Sequence, residues 1–131
     1  MCIQACLGIF GKGKIVMARI LIVEDESLIS LMLEDWLTEL GHQPLGPAQF
    51  LTEALKMARE LDIDAAILDI HLRSESSDAV ADIFIDRKIP FAISSGSAAE
   101  EIETRFAGRP NIAKPYDFDT FKAVIDQLAG C

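Results

Sequence analysis

The chain has few of the residues that build disulfide frameworks or zinc sites. Its 131 residues include three cysteines, Cys2, Cys6 and Cys131, all near the two ends, and two histidines, His42 and His71. An odd number of terminal cysteines does not form a disulfide framework, and no Cys or His spacing here suits zinc. This usage predicts a protein of the reducing cytoplasm.

Basic residues and long apolar runs are also scarce. Twelve Lys and Arg against 21 Asp and Glu give a net charge of −9. A surface this acidic repels phosphate backbones and anionic lipid, which argues against nucleic acid and membranes as partners. Lys12, Lys14 and Arg19 interrupt the only apolar stretch that approaches the ~20 residues of a membrane span. The acid excess suits a cation site or a basic protein partner better.

The length and composition predict one domain preceded by a short extension. Half of the residues are hydrophobic and 25% are charged, as in ordinary globular proteins. Residues 1–16 place their lysines after the apolar stretch, the reverse of a secretory signal, and Met17 resembles a second start. We therefore expect a flexible leader or cloning extension over residues 1–16 and one folded domain over residues 17–131.

The extension contains a sequence that matches a phosphate-binding loop by chance. Residues 8–14 fit G-x-x-x-x-G-K. The next residue, Ile15, replaces the Ser or Thr that reaches magnesium, and a strand pattern follows where a helix is required. We do not expect a nucleotide site here.

Two hydrophobic periods alternate from Met17 onward. Short apolar runs predict buried parallel strands, and apolar stripes at spacings of three and four predict helices between them. The expected strands cover residues 18–23, 42–48 (a proline-containing edge strand), 65–68, 90–94 and 111–113, and the expected helices 28–40, 51–61, 80–84, 98–106 and 118–128. Five strands and five helices in alternation predict an α/β fold, a doubly wound five-stranded parallel sheet. Because the chain stops after the fifth helix, we expect no attached output domain.

Polar side chains follow the buried runs at their carboxyl ends. Acidic residues 24–26 follow the first run, Asp69 the third, Ser95 the fourth and Lys114 the fifth. In a parallel sheet these ends share one edge, where open α/β folds bind ligands. Carboxylates crowded together raise one another's pKa unless a cation intervenes, and hard oxygen donors select Mg²⁺. Taken alone, the acidic triplet fits the start of a helix equally well.

Asp69 lies where a carboxylate could act as a nucleophile toward a phosphoryl group and form an aspartyl-phosphate. Magnesium would neutralise the transferring oxygens, while Lys114 and Ser95 would supply a charge and a hydroxyl donor. Each of these residues alone is better explained as an ordinary loop or turn residue. Their joint order and register favour a phosphoryl site.

Four segments together resemble the receiver domain of two-component response regulators, the fold of the chemotaxis receiver. The resemblance covers about residues 18–129 and implies the flavodoxin-like receiver fold. The segments are ILIVEDE (20–26), AAILDIHL (65–72), PFAISSG (90–96) and AKPY (113–116).

The resemblance implies a role for each matching residue of the metal site. Glu24 and Asp25 match the acidic pair that holds Mg²⁺. Asp69 matches the phosphoacceptor, which also faces the metal. The backbone carbonyl of His71 matches the third protein ligand.

The resemblance also implies the residues that contact the phosphoryl group on Asp69. Ser95 matches the hydroxyl residue, and Lys114 matches the lysine that precedes Pro115, which in that family follows a cis peptide bond. The chain departs from the family pattern at Asn111, where an aromatic side chain often reports phosphorylation. It also departs in the loop after Asp69, which lacks the common proline and glycine.

The function implied is that of a stand-alone receiver. It would accept a phosphoryl group from a histidine kinase or a histidine phosphotransfer protein and signal through a protein-binding surface at residues 98–129. It would catalyse only its own phosphotransfer and dephosphorylation. Two alternatives remain open. One is a receiver-like scaffold that is never phosphorylated. The other is an aspartyl-nucleophile phosphatase, which would need a second acidic residue at the position of His71. The cognate kinase, the downstream target and the oligomeric state, a homodimer included, also stay open.

Overall fold

The structure is a computed structural model that describes residues 17–73, 75–95, 111–113 and 117–129. The expected extension (1–16) and the expected helix at 98–106 lie outside these residues. Strands and helices alternate in the order β1 (Arg19–Val23), α1 (Ser27–Glu39), β2 (Gln43–Ala48), α2 (Leu51–Glu60), β3 (Ala65–Asp69), β4 (His71–Leu72), β5 (Glu75–Ser76), α3 (Asp78–Arg87), β6 (Phe91–Ser95), β7 (Asn111–Ala113) and α4 (Phe118–Ala129).

Five of the strands form one parallel sheet in the order β2-β1-β3-β6-β7. This is the order of flavodoxin-like doubly wound folds, and it confirms the predicted fold class. β2 lies at the edge, as its prolines predicted, because Pro44 and Pro47 cannot donate to a neighbouring strand. The remaining strands, β4 and β5, pair antiparallel in a small hairpin directly after β3. The sequence did not predict this hairpin.

The sheet is buried on both faces, which explains why its central strands read as continuous apolar runs. Leu21 and Val23 belong to one core cluster, together with residues of α2 and α3. Ile20 and Ile22 point to the opposite face and belong to a second cluster, with residues of α1 and α4. All four of these β1 side chains are fully buried. Among the described residues, no helix has the length and apolar character needed to cross a membrane.

The end of α1 sets the entry into β2. Gly41 has a φ of +91°, a left-handed conformation that glycine adopts without steric cost. The Gly41 amide donates to the Thr38 carbonyl at 3.0 Å and the His42 amide to the Leu37 carbonyl at 2.9 Å. This pair of bonds is a Schellman motif, which ends α1 at Gly41.

Candidate metal and phosphoacceptor site

Three carboxylates meet at the carboxyl ends of two neighbouring strands. β1 and β3 pair with Val23 opposite Leu68, so the next residues, Glu24 and Asp69, emerge side by side. One oxygen from each of Glu24, Asp25 and Asp69 lies within 4.8 Å of the others. The structure therefore brings together three of the four acidic residues that the sequence placed at this edge, and the fourth, Glu26, is exposed.

The cluster lies in a recess of the fold. Glu24 is 1% exposed and Asp69 7% exposed, whereas Asp25 is partly exposed. Carboxylates at such depth lose much of their hydration, which disfavours their charged forms unless other groups compensate. The crowding and the burial together make a cation a favourable partner for this cluster.

Backbone amides orient two of the carboxylates. The Glu26 amide donates to Glu24 Oε2 at 3.1 Å, and the Arg73 amide donates to Asp25 Oδ2 at 2.7 Å. The Glu24 amide in turn donates to the Ala48 carbonyl at 3.0 Å, which fixes the exit of β1 against the end of β2. The metal-binding carboxylates of proteins are commonly held by such outer hydrogen bonds.

Ser77 holds the backbone that carries Asp69, and sequence analysis did not find it. Its hydroxyl lies 2.6 Å from the Asp69 carbonyl oxygen and 2.8 Å from that of Ile70. Its amide also donates to the Ile70 carbonyl at 3.0 Å. A serine just before a helix is ordinarily expected to cap that helix, but Ser77 is 3% exposed and turns back toward β3.

The remaining predicted site residues are described in part or not at all. β6 lies next to β3 with Ser94 opposite Asp69, and the backbone of Ser95 pairs with Ala113 of β7 at the same edge of the sheet. Lys114 and Pro115 lie outside the described residues, as do the side chains of His71, Ser95 and Asn111. Their roles stay predictions.

The donors of the cluster suit magnesium. All three side chains are carboxylates, so each offers a hard oxygen ligand. Mg²⁺ typically binds one or two protein carboxylates and completes its shell with water and phosphate oxygens. Softer metals would call for the sulfur and imidazole ligands that this cluster lacks.

Comparison with known proteins decides the family. No family model matches the chain. The chain is 34% identical over 103 residues to the chemotaxis protein CheY of Thermotoga maritima, a match that covers 75% of this chain and 86% of CheY. The chain belongs to the response-regulator receiver domains. It is also 40% identical over 114 residues to the phyllosphere-induced regulator PhyR of Methylorubrum extorquens, covering 83% of this chain but only 42% of PhyR.

Solved structures agree with this assignment to the receiver domains. The solution structure of SdrG from Sphingomonas melonis Fr1 matches with a TM-score of 0.77 and 40% identity, over 86% of this chain and 96% of SdrG. The BeF3-activated conformation of SdrG matches with a TM-score of 0.71. The receiver domain of the sensor histidine kinase PA1611 from Pseudomonas aeruginosa PAO1 was solved with magnesium coordinated in its active-site cleft. At 20% identity and a TM-score of 0.76, over 88% of this chain and all of that one, it supports the fold alone.

Proposed function

We propose that this receiver domain accepts a phosphoryl group on Asp69 and signals through protein contacts. The observation that carries the proposal is the carboxylate cluster, in which Asp69 lies within 4.8 Å of two further acids. A receiver that used this edge only as a scaffold would have no need to keep three acidic side chains together. The likeness to SdrG, at 40% identity over 96% of that chain, supports treating residues 17–131 as one receiver domain.

Glu24, Asp25 and Asp69 are the residues that would hold Mg²⁺, with the His71 carbonyl as the further ligand implied by the family resemblance. When bound, the ion supplies positive charge to the oxygens of the transferring phosphoryl group. The described residues contribute the orientation of the carboxylates. The Arg73 amide fixes the carboxylate of Asp25, and Ser77 fixes the backbone of Asp69.

The chemical step uses the Asp69 carboxylate as the nucleophile. One of its oxygens forms a bond to phosphorus while the bond from phosphorus to a histidine nitrogen of the donor breaks. The electron pair of the broken bond stays on the donor imidazole, which then takes up a proton. The donor is a histidine kinase or a histidine phosphotransfer protein, and Ser95 and Lys114 contact the phosphoryl oxygens.

The product differs from the starting state in charge and in hydrogen-bond acceptors. The phosphoryl group carries a charge of about −1.5 to −2, but it replaces the single negative charge of the Asp69 carboxylate, so the site gains about one negative charge or less. It also gains phosphoryl oxygens that accept hydrogen bonds, and the two changes together can bias an element with two arrangements. We place the responding surface at residues 98–129. The BeF3-activated structure of SdrG supports a second conformation in a relative that is 40% identical.

Intact-mass measurement tests the proposal directly. Incubation with acetyl phosphate and Mg²⁺ should add ~80 Da, the mass of one phosphoryl group on a nucleophile. The gain should be absent when EDTA removes the magnesium, and absent in Asp69→Asn. A parent protein that gains no mass would be a scaffold. A protein that releases phosphate continuously from small phosphate esters would be a phosphatase.

A further inference from the structure

At the tip of the β4–β5 hairpin, Arg73 contacts both the carboxylate cluster and a neighbouring loop. The Arg73 amide donates to Asp25 Oδ2 at 2.7 Å. The Arg73 guanidinium carbon lies 4.5 Å from the centre of the Phe50 ring, a cation–π contact. Arg73 therefore contacts the cluster through its backbone amide and an aromatic ring through its side chain.

The backbone of Arg73 reaches this position through an uncommon conformation. Its φ is +47°, in the left-handed region that residues other than glycine and asparagine rarely occupy. Such a conformation persists where surrounding contacts hold it. The contact with Phe50, which lies outside the hairpin, stabilises this conformation.

The loop around Phe50 is fixed by hydrogen bonds, although Phe50 itself is 52% exposed. Hydrogen bonds fix the residue before it. The Gln49 amide donates to Glu53 Oε1 of α2 at 2.9 Å, and Gln49 Nε2 donates to Ser27 Oγ of α1 at 3.0 Å. The loop that carries Phe50 is thus attached to two helices.

We propose that Phe50 and Arg73 form a clasp that positions Asp25 for magnesium. The proposal rests on the proposed function, because Asp25 is there a magnesium ligand. A hydrogen bond to one oxygen of Asp25 restricts rotation of its carboxylate, and the clasp keeps the donor of that bond in place. Phe50 and Arg73 are positioning residues in this scheme, since neither side chain contacts the metal. Outer-sphere partners of this kind commonly tune metal affinity.

The guanidinium charge of Arg73 weakens Mg²⁺ binding, whereas its role in positioning Asp25 strengthens it. Phe50 is therefore the better residue to change. Deleting the guanidinium removes a positive charge near the cluster, and this alone strengthens the attraction of a cation. Phe50→Leu leaves every charge in place, keeps an apolar side chain and removes only the aromatic face. Phe50→Trp offers a better aromatic face and should restore the clasp.

The experiment is a Mg²⁺ titration of the full chain, followed by amide NMR shifts of Asp25 and Arg73. Unfolding is measured in parallel in EDTA, to separate metal affinity from stability. We expect Phe50→Leu to weaken Mg²⁺ binding about two- to fivefold, the size expected for an exposed cation–π contact, and Phe50→Trp to match the parent. Ile85→Ala, which removes another exposed apolar side chain near the far end of α3, is the matched control and should change nothing.

A double-mutant cycle completes the test. Arg73→Gly keeps the left-handed backbone and its amide while removing the guanidinium. In that background Phe50→Leu should no longer change the Mg²⁺ affinity, and additive effects would overturn the clasp. Unchanged affinity in Phe50→Leu, together with lost affinity in Asp25→Asn, would also overturn it and leave the proposed function intact. Unchanged affinity in Asp25→Asn would remove the metal site and the clasp together.

Discussion

The polar groups at the two ends of the central strands are arranged differently. At the amino end of β1, each hydrogen-bond donor meets an acceptor. The Arg19 amide donates to Asp64 Oδ2 at 2.8 Å, and Arg19 Nε donates to the Asp62 carbonyl at 2.7 Å. The Ala18 amide donates to Nδ1 of the buried His42 at 3.1 Å.

At the carboxyl end, three like charges gather instead, and two of them are almost fully buried. The hydrogen bonds at the amino end contribute to stability. At the carboxyl end, like charges this close together repel one another, and a bound cation offsets that repulsion. Substitutions at the two ends should accordingly have opposite effects on stability.

The largest effect is expected from Asp69→Asn. Phosphoryl uptake should be abolished, because an amide is not a nucleophile toward phosphorus. The fold should persist, since asparagine has nearly the same shape as aspartate. Intact mass after acetyl phosphate treatment measures uptake, and circular dichroism checks the fold. Uptake at the parent rate would show that the phosphoacceptor is another residue.

Asp25→Ala should affect metal binding and stability in opposite directions. Mg²⁺ affinity should fall at least tenfold with the loss of a ligand. The metal-free protein should become more stable by at most about 1 kcal/mol, because the relief of crowding among three carboxylates outweighs the loss of the acceptor for the Arg73 amide. Calorimetric titration with Mg²⁺ and urea unfolding in EDTA measure the two quantities. Equal affinity in variant and parent would contradict the metal site.

Ser77→Ala should lower the free energy of unfolding by about 1–2 kcal/mol. The hydroxyl is buried, and its removal leaves the carbonyls of Asp69 and Ile70 with one donor fewer. Ser77→Thr keeps the hydroxyl and is the control. Urea unfolding measures the difference, and a variant as stable as the parent would mean that the Ser77 hydroxyl does not hold the end of β3.

Asp64→Ala tests the amino end with the same type of substitution as Asp25→Ala. It should destabilise the protein by about 0.5–1 kcal/mol, because the Arg19 amide loses its acceptor at an exposed position. Mg²⁺ affinity should not change. If Asp64→Ala and Asp25→Ala changed the metal-free stability in the same direction, the contrast between the two ends would fail.

The smallest effect concerns the pH dependence of stability. Burial lowers the pKa of His42 below its ordinary value of 6.5, and the negative charge of Asp126 opposes this only in part. Above pH 6.5 the imidazole is neutral in both states and its contribution is complete. As the pH falls below 6.5 the unfolded chain takes up the proton first, so stability is lost until the pH reaches the lowered pKa of the folded protein.

His42→Asn isolates this contribution. The asparagine oxygen can accept the Ala18 amide in place of Nδ1, but it does not titrate. Between pH 6.5 and the lowered pKa, the parent should lose more stability than the variant, by less than about 1 kcal/mol. Urea unfolding at several pH values measures both curves. Parallel curves would show that His42 is not the group responsible.

Much of the fold and the acidic cluster could be predicted because both follow from local patterns. Strands buried on two faces produce continuous apolar runs, and parallel strands bring their carboxyl ends to one edge. Glu24, Asp25 and Asp69 were identified on that basis, and the structure places them together. Ser77 was missed because a serine before a helix can bond either to the first amides of that helix or to nearby carbonyls. The local sequence is compatible with both, and here the hydroxyl bonds to the carbonyls of Asp69 and Ile70.

The sequence by itself determined the five strands of the parallel sheet, the edge position of β2 and the three carboxylates that meet at the carboxyl ends of β1 and β3. These follow from periodicity and from the geometry of a parallel sheet. Only the tertiary structure decided that the amide of Arg73 meets Asp25 and that its guanidinium lies on Phe50. The physical reason is that this contact depends on a left-handed backbone at Arg73. Arginine rarely adopts that conformation, and distant loops must stabilise it, so no local pattern indicates it.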